Sequence, residues 1–373
     1  MKIQWSGRRR PFPALAATGH LRKKRALCEH FVLVLSLLWD VAFFALPLYA
    51  AVSAPAEMLR LESSADAMGS TFSLILYGED RNQLESAAEH AFAEARRVDL
   101  LLSNYKPESE WSSVNREAAD HPVTVSKELF DLLADCIDYS RRSEGAFDIT
   151  VGPLMKVWGF YKGSGQFPRP GAVEQAMGQI GYRNIVLNPS GRTVSFAKPG
   201  LNLDPGGVGK GYAVDRMVQV LRADGIRAAL ISAGGSSIYG LGNPPESPAG
   251  WPIRIKDPLS ESESAAAITL KDQSLSTSGS YEKFFVAEGK TWSHIMDPRT
   301  GFPAQGTLSV SVISPRTLDS EVWAKPYFIL GRQWTAAHLP GSFRVFYCQD
   351  ATHSADKYKE RIDKVNQPCA WLQ

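Results

Sequence analysis

The sequence predicts an α+β fold with largely antiparallel sheets and packed helices. Helix-like and strand-like segments are mixed without the regular strand–helix–strand rhythm of a doubly wound sheet. No short-period repeat is visible, and no linker interrupts residues 59–331. The length of 373 residues suits one large domain or two small ones.

The N-terminus stands apart. Arg8, Arg9, Arg10, Arg22, Lys23, Lys24 and Arg25 precede an apolar run over residues 31–51. Leu48-Tyr49-Ala50 and Val52-Ser53-Ala54 both resemble cleavage sites. Residues 1–54 therefore read as a signal peptide. The alternative is an uncleaved anchor that would tie the chain to a membrane, because the run approaches spanning length. Asp40 and Pro47 interrupt it. The expectation is export, to the periplasm or the outer face of a bacterial inner membrane. The formal net charge of +2, with much of the basic excess before Lys24, argues against a nucleic-acid surface.

The remaining elements follow in order. Residues 71–77 alternate as a strand, and residues 83–102 form an amphipathic helix. Residues 126–143 form a second helix started by Ser126 as cap. Residues 168–180 hold a short helix, and residues 184–187 and 193–196 a hairpin around Ser190-Gly191. A helix over 212–224 precedes a buried strand at 228–232. Strands are expected at 253–256, 265–270 and 308–313, and a helix at 318–330. From Arg332 the composition changes, so residues 332–373 read as a C-terminal extension. Its Cys348 and Cys369 could pair after export, whereas Cys136 lies on an apolar helix face and reads as core. No cysteine or histidine spacing suggests zinc.

The run LDPGGVGKGYAVD, residues 203–215, is the densest chemical signal. Its four glycines at 206, 207, 209 and 211 surround Lys210 at a helix start. Glycine lets backbone amides approach an anion, and a helix N-terminus favours negative charge. A Walker A loop is excluded because Gly211 follows Lys210, where Ser or Thr is needed. The dinucleotide fingerprint is excluded by spacing. A phosphate cradle and a plain tight turn both remain open on this loop alone.

Other dense motifs flank it: Met68-Gly69-Ser70-Thr71, Leu102-Ser103-Asn104-Tyr105 and Gly145-Ala146-Phe147-Asp148-Ile149-Thr150. Ser276-Thr277-Ser278-Gly279-Ser280-Tyr281 leads to His294-Ile295-Met296-Asp297-Pro298-Arg299-Thr300-Gly301. In this order the motifs resemble the ApbE family of FAD:protein FMN transferases, from about residue 59 to 331. The resemblance implies a T-fold-like domain that binds FAD, uses magnesium, and transfers FMN to a Thr hydroxyl of an envelope redox protein while AMP leaves. It assigns Met68, Tyr105, Ala146, Phe147, Asp148, Asp204, Lys210 and Ile295 to the cofactor. It makes His294 the general base and gives Gly207 a metal-facing carbonyl.

Two positions depart from the pattern. Relatives carry an Asp and, four residues later, a Thr that hold magnesium just before an apolar run ending in Gly. Alignment on Tyr327-Phe328-Ile329-Leu330-Gly331 puts Glu321 and Lys325 there, followed by Pro326. Ser236 stands where relatives have an Asp after paired glycines. An ammonium cannot ligate a metal, so Lys325 is expected to replace the ion or pair with Glu321. Two alternatives to transfer follow: an FAD-binding protein with a degenerate metal site, or an FAD pyrophosphatase.

Overall fold

The computed structural model describes residues 58–163, 165–350 and 368–372. The signal peptide or anchor expected over 1–54 lies outside them. Eight strands form one sheet: β1 (Leu59–Ala67), β2 (Ser70–Gly78), β3 (Ala228–Ala233), β4 (Ser237–Leu241), β5 (Gln273–Gly279), β6 (Thr307–Ser314), β7 (Arg344–Gln349) and β8 (Cys369–Leu372). They lie side by side in chain order, and every neighbouring pair is antiparallel. Seven helices occur among the described residues: α1 (Arg81–Leu102), α2 (Glu110–Glu117), α3 (Lys127–Arg142), α4 (Gly152–Val157), α5 (Ala172–Met177), α6 (Gly209–Ala223) and α7 (Thr317–Ala337).

The alternation of side chains along β2 divides the core. Phe72, Leu74 and Leu76 are fully buried with the apolar faces of α1, α6 and α7. Ile75 and Tyr77 point the other way, toward a hairpin of strands Trp251–Lys256 and Ser264–Leu270. A third, smaller cluster joins Leu154, Trp158 and Phe160 to Trp292 and Met296.

Most of the expected elements are present with longer ends. Ser126 caps α3, its Oγ accepting from Leu129 N at 3.2 Å. Asp80 caps α1 through the amides of Asn82 and Gln83. Helix α6 begins at Gly209, inside the glycine-rich run, three residues earlier than periodicity implied. The helix at 318–330 continues through Pro326 and is broken instead at Gly331, where φ is 86°.

Five strands of this sheet, β1, β4, β5, β7 and β8, were not legible. β1 alternates Leu59, Leu61, Ala65 and Ala67 with polar residues but buries its apolar face only in part, and it pairs along its whole length with β2 through a turn at Met68 and Gly69. Both turn residues have positive φ, 53° and 64°, as the right-handed twist of a tight hairpin favours. β5 is built from serines: Ser274 Oγ donates to Ser314 O at 2.9 Å, and Ser276 Oγ shares a 2.8 Å bond with Ser320 Oγ of α7. Beyond Arg332, the segment set apart by composition completes α7 and supplies β7 and β8 to the same compact unit. Cys348 and Cys369 are disulfide-bonded across β7 and β8, and Cys136 is a buried free thiol.

Candidate active site

The glycine-rich run is clamped at its start. Asn115 of α2 accepts from Leu203 N at 2.7 Å and donates to Leu203 O at 3.0 Å, while Trp111 Nε1 donates to the same carbonyl at 3.2 Å. Asp204 N then donates to Ile149 O at 2.6 Å, and Asp204 Oδ1 accepts from Gly206 N at 2.6 Å. The loop therefore enters α6 with a fixed direction. Asn115, which follows the Leu102–Tyr105 motif, had no role assigned from sequence, and Trp111 was missed because it carries no motif of its own.

The glycine spacing has a steric cause. A Cβ on Gly207 would lie 3.4 Å from Phe147 Cε2 and 3.5 Å from Lys325 Cε. One on Gly209 would fall 2.7 Å from Met68 Cε, and one on Gly211 would fall 2.8 Å from Glu321 Oε2 and 2.6 Å from Thr317 O. Gly209 and Gly211 thus make room for Met68 and Glu321, whereas Gly207 is in ordinary contact with Phe147 and Lys325. Met68 from the β1–β2 turn, Phe147 from the loop after α3, and Glu321 and Lys325 from α7 converge on one turn of backbone.

The late helix is fixed to this turn from both ends. Asp215 of α6 accepts from Thr317 N at 2.7 Å and from Leu318 N at 2.9 Å, capping α7 from outside. One turn further on, the buried Glu321 carboxylate accepts from Gly211 N through Oε2. Lys325 Nζ donates to Glu321 O at 2.8 Å and lies 3.9 Å from Glu321 Oε1. Burial lowers the Lys325 ammonium to a pKa of about 8; the Glu321 carboxylate opposes the shift and Lys210 adds to it.

Gly207, Glu321 and Lys325 are therefore brought together as the metal reading required, but their chemistry does not fit a divalent cation. Glu321 already accepts a backbone amide, and the ammonium beside it donates only and repels positive charge. Among the described residues no group of three Asp, Glu, His or Cys side chains is arranged to hold a metal.

Three lysines surround His294. Its ring is shifted down to a pKa of about 4, chiefly by burial; a hydrogen bond to the Lys283 carbonyl opposes this, and the charges of Lys283, Lys325 and Lys210 add to it. Nδ1 donates to Lys283 O at 3.2 Å, which assigns the proton to Nδ1 and leaves Nε2 free to accept one. Lys210 Nζ donates to Ser236 Oγ, at the turn where Gly234 and Gly235 take φ of 60° and 72°. A neutral Ser236 leaves the Lys210 charge uncompensated. Lys283 sits in a turn without a motif and was not found from sequence.

Beside the loop lies a cavity of about 360 Å³ lined by Asn104, Tyr105, Ser112, Asn115, Tyr161 and Asn202. Tyr105 is 77% exposed, so its ring is held out as a flat face. The Tyr161 hydroxyl is buried beside Asp204, and its titration is raised by burial and by the charge of Asp204. Burial likewise raises Asp204, with the Tyr161 hydroxyl, the Gly206 amide and the Lys283 charge opposing that rise.

The other expected cofactor residues play supporting parts. Asp148 accepts from Thr150 N at 2.8 Å, Thr150 Oγ1 at 2.6 Å and Tyr182 N at 2.8 Å, which ties the segment after α3 to residues 150 and 182. Ala146 is buried, and Ile295 is buried with its carbonyl accepting from Ala304 N at 2.8 Å. These residues fix the segments that carry Phe147 and His294.

Known proteins share both the sequence and this fold. A model of the ApbE family matches residues 68–342. An FAD:protein FMN transferase of Klebsiella pneumoniae (strain 342) is 35% identical over 280 residues, covering 74% of this chain and 84% of that protein. One from Treponema pallidum (strain Nichols) is 32% identical over 285 residues, covering 72% and 78%. The crystal structure of an ApbE protein from Thermotoga maritima superposes with a TM-score of 0.72 at 27% identity, over 78% of this chain and 94% of that one. The apo flavinyl transferase ApbE of Pseudomonas stutzeri gives 0.69 at 25% identity, over 79% and 92%. With its sequence matched over most of its length and its antiparallel α+β fold shared, this chain belongs to the ApbE family.

Proposed function

We propose that this protein is an FAD:protein FMN transferase, moving FMN from FAD to a Thr hydroxyl of an envelope redox protein and releasing AMP. The observation that carries the reading is the basic cluster at the glycine-rich turn: Lys210, Lys283 and Lys325 around a neutral His294. A pyrophosphate needs positive charge on its oxygens, and transfer needs a nearby group able to take a hydroxyl proton. The names of the Klebsiella and Treponema relatives support the same activity.

The residues divide the work. Tyr105 offers a face for stacking a flat ring, and Met68 packs against the start of α6 on the flavin side. The lysines offset the two negative charges of the pyrophosphate. Nε2 of His294 accepts the proton of the acceptor hydroxyl as its oxygen bonds to the FMN phosphorus. The bond from that phosphorus to the bridging oxygen breaks, and AMP leaves with the electron pair. Every atom of FAD is then accounted for in the flavinylated protein and AMP, and one proton remains on His294.

The signal-like N-terminus and the Cys348–Cys369 disulfide support a location outside the cytoplasm, in the periplasm or on the outer face of the inner membrane. Among the described residues no helix is long and apolar enough to cross a membrane. Incubation with FAD and a flavin-free redox protein bearing an exposed Thr tests the reading. Covalent FMN on that protein with stoichiometric AMP is expected. Free FMN plus AMP would instead mark a pyrophosphatase, and bound, unreacted FAD a flavin-binding protein.

A further inference from the structure

We infer that Lys325 is the built-in cation of this cleft, holding the pyrophosphate in the place where a divalent ion would otherwise be needed. The inference rests on the flavin reading above, and it goes beyond it by assigning the charge source.

Four observations lead there. The Lys325 stem lies against the open side of Gly207, so its ammonium is delivered to the turn that faces the ligand. That ammonium is anchored by the Glu321 carbonyl at 2.8 Å and stands 3.9 Å from the Glu321 carboxylate, which retains part of its charge demand. Glu321 is itself committed to Gly211 N, so the pair is fixed to α6 rather than free to swing. Lys325 keeps 24% of its side chain exposed, at the edge of the cleft beside the glycine turn. An ammonium carries three donors, and only one is used by the Glu321 carbonyl.

The surroundings agree with a charge-supplying role. Lys210 is bonded to the neutral Ser236, not to a carboxylate, and Lys283 lies close enough to bear on both His294 and Asp204. The cleft therefore holds its positive charge in side chains. A divalent ion beside Lys325 would meet repulsion and find a single, already bonded carboxylate. A plain structural ion pair would account for the Glu321 contact, but it gives no reason for the Lys325 stem to lie against the glycine turn.

The test is flavin binding by the purified full chain, followed by fluorescence quenching in EDTA and in excess MgCl2. FAD, FMN and riboflavin serve as probes. Wild type is expected to bind FAD in EDTA with an affinity that magnesium changes by less than about twofold. Lys325→Met should weaken FAD by about tenfold or more, the scale of a lost charge-assisted hydrogen bond. It should leave riboflavin, which has no phosphate, unchanged, and Lys325→Arg should recover most of the FAD affinity. In the double variant Glu321→Asp/Lys325→Thr, FAD binding should become magnesium-dependent. Should wild type bind FAD only with magnesium, or should Lys325→Met weaken riboflavin as much as FAD, the inference fails while the flavin reading stands. Should none of the three flavins bind under any condition, both fail.

Discussion

Lys325 Nζ lies 3.9 Å from Glu321 Oε1 and donates to the Glu321 carbonyl at 2.8 Å, while the same residue's Oε2 accepts from Gly211 N. An i,i+4 pair on an exposed helix would be worth a few tenths of a kcal/mol. Here the pair is tied to the start of a second helix and to the glycine turn. It joins α6 to α7 at the point where the ligand's phosphates are expected.

Glycine at 211 should be intolerant of any side chain. A Cβ there would meet the Thr317 carbonyl at 2.6 Å, and backbone cannot move aside as a flexible side-chain end can. Gly211→Ala is expected to cost about 2 kcal/mol of stability through overpacking, read as a lower urea midpoint. Gly209→Ala should cost less, because its obstacle is the terminal methyl of Met68.

Tyr105 should matter to ligand and not to fold. With 77% of its surface exposed, Tyr105→Ala is expected to leave the thermal midpoint unchanged. It should weaken FAD by about tenfold, from the loss of a stacking face worth roughly 1–3 kcal/mol. Titration of the variant with FAD, alongside a melting curve, separates the two effects.

His294 sets a pH dependence whose sign follows from its lowered pKa. The unfolded chain takes up the proton near 6.5, and the native ring only near 4. Between those values the unfolded state binds more protons, so stability falls as pH drops from about 6.5 to about 4 and levels off below. His294→Asn should flatten that slope in denaturation curves. The same neutral ring predicts that kcat/KM survives below pH 6.5 and is lost near 4. The kcat profile should lie higher, because bound phosphate favours the imidazolium.

The Cys348–Cys369 bridge closes a loop with a sequence separation of 21, on the last two strands of the sheet. Its removal by Cys369→Ser is expected to lower stability by about 3 kcal/mol on the chain-entropy scale. FAD affinity should be unaffected, since the bridge lies away from the glycine turn, on strands that supply no site residue. Chemical denaturation with and without reductant checks the first part, and FAD titration the second.

Legibility in the sequence followed the physics of each element. α3 was readable because a capping serine and an apolar stripe agree, and the tight glycine run announced the site. β5 was hidden because its buried face is made of serines that satisfy one another and Ser320, leaving no apolar alternation to find. β1 was hidden because it is only half-buried. β7 and β8 fell in a tail whose composition differs from the rest, and only pairing with β6 brings them into the fold. In the site, residues with a motif were found, whereas Lys283 and Tyr161 became visible only when folding placed them beside His294 and Asp204. The glycine spacing was read as permission for an anion, yet for two of the glycines the closest reason is steric: Gly209 and Gly211 make room for Met68 and Glu321.

The most direct test of the account is product formation in the strict absence of divalent ions. The full chain, FAD and a flavin-free acceptor protein bearing an exposed Thr are incubated in EDTA, and covalent flavin and AMP are measured by mass spectrometry and chromatography. The account predicts equal amounts of flavinylated acceptor and AMP, abolished by His294→Asn and strongly reduced by Lys325→Met. Product that forms only when magnesium is restored, and at an equal rate in Lys325→Met, would contradict it.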